Sequence, residues 1–234
     1  MKLQQLYSKV RQAVDTYKMI EEGDKIALGI SGGKDSLSLL YGLGGLKNFY
    51  PKKFDLVAIT VDLGYEGFEL GPIKKLCEEL GVEYHIVKTS INELIKEEGC
   101  SLCSRLRRGA LNNKALELGC NKIAYAHNMD DVVETMMLSL IYEGRFSTFY
   151  PITVYEDTGL KLIRPFVFVT NAEAVGFRNK YNLPVATNPC PFDHTSERSY
   201  IRELLDDINK HTSGVRQRLM TAITDGTLPH WEKK

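Results

Sequence analysis

The stretch Ile26-Ala27-Leu28-Gly29-Ile30-Ser31-Gly32-Gly33-Lys34-Asp35-Ser36 decides how the chain is read. An apolar run passes directly into Ser-Gly-Gly-Lys-Asp-Ser, and a helical pattern of leucines (Leu37, Leu39, Leu40, Leu43) follows at once. That order predicts a buried strand, a glycine turn and a helix N-terminus. Adjacent glycines let backbone pass close to a ligand and take positive φ. The free N–H groups of a helix start attract an anion, and Ser31 and Ser36 add hydroxyls. Lys34 contributes a point positive charge and Asp35 a hard oxygen ligand suited to Mg²⁺. The spacing is neither the Walker pattern nor the dinucleotide G-x-G-x-x-G. A plain glycine turn is the alternative, but Lys and Asp side by side at a helix start serve no packing purpose. The stretch reads as a cradle for a nucleotide's phosphates.

The rest of the composition sets bounds. A chain of 234 residues buries one large core, or one core with a small appended unit. Hydrophobic residues make up 43% and charged ones 26%, the balance of an ordinary soluble globular protein. No apolar run approaches the length of a membrane span. Residues 1–24 carry Lys2, Lys9, Arg11 and Asp15 and read as an amphipathic helix rather than a signal peptide, so a cytoplasmic protein with no membrane partner is expected. Five cysteines in such a chain favour metal or redox use over a disulfide framework. The formal net charge is zero, so any nucleic-acid site has to be a local basic patch.

Along the chain, apolar residues at Leu3, Leu6, Tyr7, Val10, Val14 and Tyr17 mark the first helix. After the strand from Lys25, further strands are expected at Phe54–Asp62, Val82–Val87 and Lys122–Ala126, nearly continuous in apolar residues where both faces are covered. Helices are expected over 71–80, 102–118 and 130–142 between or after them. Residues 151–155 and 160–165 suit a hairpin or a last strand pair around the turn Glu156–Gly159. Helices over 172–181, 196–210 and 214–223 close the chain. Strands alternating with helices predict a doubly wound α/β domain, with a mainly parallel five-stranded sheet. The expected organisation is an N-terminal helix (1–24), a nucleotide-binding domain (25–170) and a helical C-terminal extension (171–234) carrying Cys190. Ligands of such sheets sit at the carboxyl ends of strands. The Ser31 loop, Asp62 and Ala126-His127 all fall there.

Two more motifs carry chemistry. Cys100-Ser101-Leu102-Cys103 opens a helix, and a C-x-x-C of this kind is half a zinc site, a redox dithiol or part of an iron–sulfur site. No second close pair supports four-cysteine zinc. Cys77 and Cys120 stand alone in apolar surroundings and read as buried small hydrophobes. Cys190 lies in Asn188-Pro189-Cys190-Pro191-Phe192, where prolines hold the backbone extended. Cys100, Cys103 and Cys190 fit a cluster with one iron open to an external sulfide; a reduced structural pair plus an unrelated loop cysteine is the other reading. The last motif is Ala126-His127-Asn128-Met129-Asp130-Asp131. Acidic residues suit a helix start, which explains one of the two aspartates; with Asp35 they are also placed to hold Mg²⁺. Arg105, Arg107, Arg108 and Lys114 form the one clear basic cluster, either a solvated helix face or a grip on RNA phosphates. Arg164 stands near the nucleotide or in a surface ion pair, and His85 and His194 read as structural or exposed.

The hexapeptide at 31–36 resembles the PP-loop of the ATP pyrophosphatase superfamily, whose fold is adenine nucleotide alpha hydrolase-like. Residues 100–109 (Cys-Ser-Leu-Cys-Ser-Arg-Leu-Arg-Arg-Gly), between that loop and the Asp-Asp motif, resemble the tRNA 2-thiocytidine synthetase family, as do Ile163-Arg164-Pro165 and the Cys190 loop. The resemblance implies an ATP-dependent tRNA sulfurtransferase. ATP would contact Ser31, Gly32, Gly33, Lys34, Asp35, Ser36, Ile59, Val61, Asp62, His127, Asp131 and Arg164. Lys34, Asp35 and Asp130 would be catalytic, with Mg²⁺ on Asp35 and Asp130. A [4Fe–4S] cluster would bind Cys100, Cys103 and Cys190, and RNA would meet Arg105, Arg107 and Arg108. A cytidine C2 oxygen would be adenylated and then replaced by sulfur. Expected partners are tRNA, a cysteine desulfurase or other sulfide donor, and a second copy in a homodimer. Two departures stand out. Asp193 occupies a position where many relatives have another cysteine, and Ala126, Asn128 and Met129 replace three residues of the common Gly-His-His-Arg-Asp-Asp. The alternatives are activation of a small-molecule or other sulfur-containing substrate, and a nucleotide-binding iron–sulfur regulator without turnover.

Overall fold

A computed structural model describes residues 1–95, 99–187, 190 and 197–225, the side chains of residues 99 and 100 excepted. Two compact units result. The larger is Met1–Asn128 with Tyr150–Asp193, and the smaller is Met129–Phe149 with His194–Lys234.

The larger unit is built on a six-stranded sheet of β1 (Asp24–Gly29), β2 (Phe54–Asp62), β3 (Glu83–Lys88), β4 (Lys122–Ala124), β5 (Ile152–Val154) and β6 (Lys161–Ile163). Their spatial order is β3-β2-β1-β4-β6-β5. Every pairing is parallel except β5 against β6. The doubly wound, mainly parallel α/β class is as expected, but the strands number six, not five. The added one is β5: the turn at Glu156–Gly159 folds Ile152–Val154 back onto β6, where Arg164 N–H donates to the Pro151 carbonyl at 3.0 Å.

Strand alternation sends side chains to two covered faces. On one face, Ala27, Val57, Ile59, Val61, Ile123 and Leu162 form a buried core. It is closed by Ile91 of α4 (Ile91–Leu94) and by Leu111 and Ala115 of α5 (Gly99–Glu117). The opposite face is covered by α2 (Lys34–Phe49), against which α1 (Leu3–Thr16) and α7 (Asn171–Tyr181) pack. Leu6, Val10, Ala13 and Val14 are the buried stripe of α1. Gly45 makes that contact possible, because a Cβ there would lie 2.1 Å from the Tyr7 hydroxyl oxygen. Helix α3 (Gly71–Glu79) packs beside β3.

At the amino ends of β1 and β4 a charged pair is buried. Lys122 Nζ lies 2.6 Å from Asp24 Oδ2, with each side chain 3% exposed. Lys122 also donates to the Met19 carbonyl, and Asn121 to Asp24 Oδ1, so the pair is satisfied on both sides. Burial by itself raises the Asp24 carboxyl; the Glu21 N–H, Lys122 and Asn121 outweigh it and hold the pKa below the usual value.

The smaller unit is helical, with α6 (Met129–Tyr142), α8 (Glu197–His211) and α9 (Val215–Asp225). The Glu134 carboxylate of α6, 2% exposed, receives Arg202 Nε at 3.0 Å and stands 3.6 Å from Arg198 Nη1.

Candidate active site

The loop between β1 and α2 is braced by its own hydroxyls. Ser36 Oγ accepts from Ser31 N–H at 3.2 Å and donates to the Gly33 carbonyl at 3.0 Å, and the Ser31 and Ser36 hydroxyls are 3.1 Å apart. Ser31 Oγ also accepts from Gly33 N–H. Gly32 has φ +82°, and a Cβ there would crowd Ala186 Cβ at 3.1 Å and Phe68 at 3.3 Å. The turn therefore requires glycine both for its backbone angle and for space. Lys34 Nζ pairs with Asp35 Oδ2 at 2.7 Å. The loop sits at the switch point of the sheet, since β1 is flanked by β2 on one side and β4 on the other.

Beside the loop lies a cavity of about 620 Å³, within the range of small-molecule sites. Ser31, Asp35 and Ser36 form part of its lining, with Val61 from the end of β2. Cys103, Arg107 and Arg108 reach it from α5, and Cys190 from the segment after α7. His127 and Arg164 line it from the loops that follow β4 and β6. Four stretches far apart in sequence thus bring a phosphate loop, two thiols and three arginines to one cavity.

Other candidate residues lie elsewhere. Gly32, Gly33 and Lys34 belong to the loop and the first turn of α2 without lining the cavity. Ile59 is fully buried in the core, where its carbonyl accepts Ile30 N–H at 2.8 Å. Asp62 ends β2; its Oδ1 accepts from Gly64 N–H and its carbonyl from Thr89. Arg105 is exposed on α5. Cys100 precedes Cys103 by one helical turn, and its side chain falls outside the described residues, as do Asp193 and His194. Asp130 and Asp131 open α6 in the smaller unit, where Arg216 Nε stands 3.1 Å from Asp130 Oδ1.

Two tyrosines of the lining are absent from the residues the sequence singles out. Tyr125 and Tyr155 both face the cavity. Burial, with Tyr155 nearby, pushes the Tyr125 phenol up to about 12, against the opposing pull of Arg108, Arg107 and Arg164. The only signal for Tyr125 was its place just past β4, at the carboxyl end of a central strand.

The thiols sort by burial. Cys77 is fully buried and its thiol is pushed up to about 12, chiefly by desolvation; Cys120, 4% exposed, is also raised by burial. Neither is a ligand in this state. Cys103 and Cys190 share the cavity with Arg107, Arg108 and Arg164. Soft sulfur donors of this kind suit an iron–sulfur cluster, and Asp35 supplies the hard oxygen that Mg²⁺ prefers. Among the described residues no three His, Cys, Asp or Glu side chains assemble into a metal site.

The braced loop at the switch point of a parallel sheet defines a PP-loop nucleotide-binding protein. A PP-loop domain model matches residues 2–208, and the chain belongs to the PP-loop family, in the group that contains the tRNA-cytidine(32) 2-sulfurtransferases. The enzyme of that name from Geobacter metallireducens is 36% identical over 92% of this chain and 87% of its own length. That from Dechloromonas aromatica is 35% identical over 96% of this chain and 81% of its own. Among solved structures, the U34-tRNA thiolase NcsA from Methanococcus maripaludis, determined with its [4Fe-4S] cluster, superposes with a TM-score of 0.77. The two are 29% identical, over 95% of this chain and 77% of that one. An NH3-dependent NAD synthetase from Campylobacter jejuni shares the fold at TM-score 0.53 and 17% identity, covering both chains fully.

Proposed function

We propose that this chain is an ATP-dependent tRNA sulfurtransferase that converts a tRNA cytidine to 2-thiocytidine. The observation that carries the reading is that Cys103 and Cys190 line the same cavity as Ser31, Asp35 and Ser36. The curated relatives named for this reaction on cytidine 32 support it.

A base carbonyl oxygen is a poor leaving group, so it has to be activated before sulfur replaces it. The loop N–H groups and hydroxyls bind ATP's phosphates, and Lys34 offsets charge growing on the α-phosphate. Asp35 is the loop residue that would hold Mg²⁺, which would neutralise charge on the departing pyrophosphate. The cytidine C2 oxygen attacks the α-phosphate, giving an O-adenylated base and pyrophosphate. Sulfide adds at C2 and AMP leaves with the original oxygen, so no net oxidation occurs. Cys100, Cys103 and Cys190 are the residues that would hold a [4Fe–4S] cluster, which supplies an iron without a protein ligand as a binding place for sulfide. The target base has to leave its stack, which suits an unpaired tRNA loop, and Arg105, Arg107 and Arg108 would hold its phosphates.

We further read 25–170 as the ATP-binding domain, 1–24 as its N-terminal helix and 171–234 as a helical extension. A cysteine desulfurase or another sulfide donor, a homodimeric assembly and a cytoplasmic location complete the proposal. Among the described residues no helix is long and apolar enough to cross a membrane.

A uridine substrate is the second reading, favoured by the likeness to a U34-tRNA thiolase and by Asn128 and Met129 replacing the histidine and arginine of the common motif. Anaerobically reconstituted protein, given ATP, Mg²⁺, sulfide and unmodified tRNA, decides between them. Pyrophosphate release with 2-thiocytidine in the digested tRNA is expected. Release with 2-thiouridine favours the second reading. Release that needs a small molecule instead of tRNA, or no release with any substrate, overturns both.

A further inference from the structure

The contact that fixes the chemistry of His127 is its hydrogen bond from Arg164, whose Nε donates to His127 Nδ1 at 3.1 Å. A guanidinium has donors only and keeps its proton at any ordinary pH. Nδ1 is therefore the acceptor, and the proton of the neutral imidazole resides on Nε2. Arg164 is itself fixed. It is 7% exposed, and its Nη1 donates to the Tyr150 carbonyl at 2.5 Å and to Thr153 Oγ1 at 3.1 Å. The edge of the β6 hairpin thus anchors the group that dictates the tautomer. Tyr125 meets the imidazole edge-on, with ring centroids 5.7 Å apart and planes at 88°.

Protonating His127 would set an N–H against the Arg164 N–H and place a second positive charge beside a buried guanidinium. Among the described residues, the cavity's other charged and titratable groups are Cys103, Arg107 and Arg108 on α5, Asp35 on α2, Tyr125 before His127, Tyr155 beyond β5, and Cys190. Of the four charged groups among these besides His127, once Arg164 is counted, three are cations.

From this geometry we infer that Arg164 is a positioning residue which locks His127 as a neutral Nε2–H donor. His127 then acts as a fixed hydrogen-bond donor to a phosphoryl oxygen of the nucleotide, not as a base. The inference rests on the ATP-dependent reading above. A donor that needs no reorganisation suits an oxygen whose negative charge grows during attack on phosphorus.

The test uses the full chain labelled with ¹⁵N-histidine. In a long-range ¹H–¹⁵N spectrum, the His127 signals are identified by their loss in His127→Gln. A pyridine-type Nδ1 and a pyrrole-type Nε2 are expected, unchanged from about pH 8 to below the ordinary imidazole value of about 6.5. In Arg164→Met the two tautomers should mix and the ring should titrate. A wild-type ring that protonates near its ordinary value, or carries its proton on Nδ1, overturns the inference whatever substrate the enzyme proves to use. Pyrophosphate release tests the donor role. Gln offers an N–H near the position of Nε2 and should stay within about tenfold of wild type, while Asn, too short to reach, should fall about 100-fold. Equal loss in both variants would contradict a donor role.

Discussion

Burial gives the same side chain opposite uses in Cys77 and Cys103. Cys77 sits in the core with its thiol pushed up to about 12 by desolvation, whereas Cys103 shares a cavity with Arg107 and Arg108. Replacing Cys103 or Cys190 by Ala should therefore abolish cluster absorbance and iron content after anaerobic reconstitution. Cys77→Ala should retain both, at a stability cost of about 1 kcal/mol from the small void it leaves. A full iron signal in Cys190→Ala would rule out that thiol as a ligand. In the loop, Gly32→Ala has to adopt φ +82° against Ala186 and Phe68. A loss of about 1–2 kcal/mol in stability is expected, with weaker ATP binding, readable by thermal unfolding and calorimetry. The loop was legible because its chemistry is packed into consecutive residues, Ser31 to Ser36. Tyr125 and Tyr155 were not, since an aromatic at the end of a strand looks the same whether it faces a core or a cavity. The Arg164–His127 bond joins residues that only the pairing of β4 with β6 brings together.

Among the elements, long apolar strands announced themselves more plainly than short ones. The nine residues of β2 alternate between two covered faces and leave a plain pattern. The three residues of β5 carry little pattern by themselves; the turn at Glu156–Gly159 marks them as one arm of a hairpin, and counting that arm brings the sheet from five strands to six. Helix α6 was legible from its acidic start, but its partners were not: Arg202 and Arg216 reach Glu134 and Asp130 from distant helices. The buried Lys122–Asp24 pair ties β4 to β1 and was equally invisible, because each residue alone reads as an exposed strand end. Lys122→Met leaves the Asp24 charge buried without its partner and should cost about 3–5 kcal/mol, whereas the double replacement with Asp24→Asn should recover much of the loss. The sign of the pH effect follows from Asp24's depressed folded-state pKa. Its contribution is complete above the unfolded value of about 3.9 and disappears as pH falls through the lower folded value. Acid unfolding monitored by circular dichroism should show that dependence in the wild type and lose it in the double variant.

For the molecule as a whole, zero net charge places the weight of RNA binding on a local patch rather than on a global field. Tightening of tRNA binding at low salt should be shallow, and Arg107→Ala with Arg108→Ala should flatten the salt slope by about two contacts' worth. A slope unchanged in the double variant would move the RNA site off α5. The larger unit by itself holds the loop, the two described cavity thiols and the arginines, so the shared cavity is a property of one compact body. The most direct test of the proposed activity is a mass-spectrometric profile of tRNA nucleosides from a strain lacking this gene, and from the same strain carrying the wild-type, Cys103→Ala or Cys190→Ala gene. Loss of 2-thiocytidine on deletion is expected, with recovery only from the wild-type gene. A 2-thiocytidine level unchanged by deletion would contradict the proposed function.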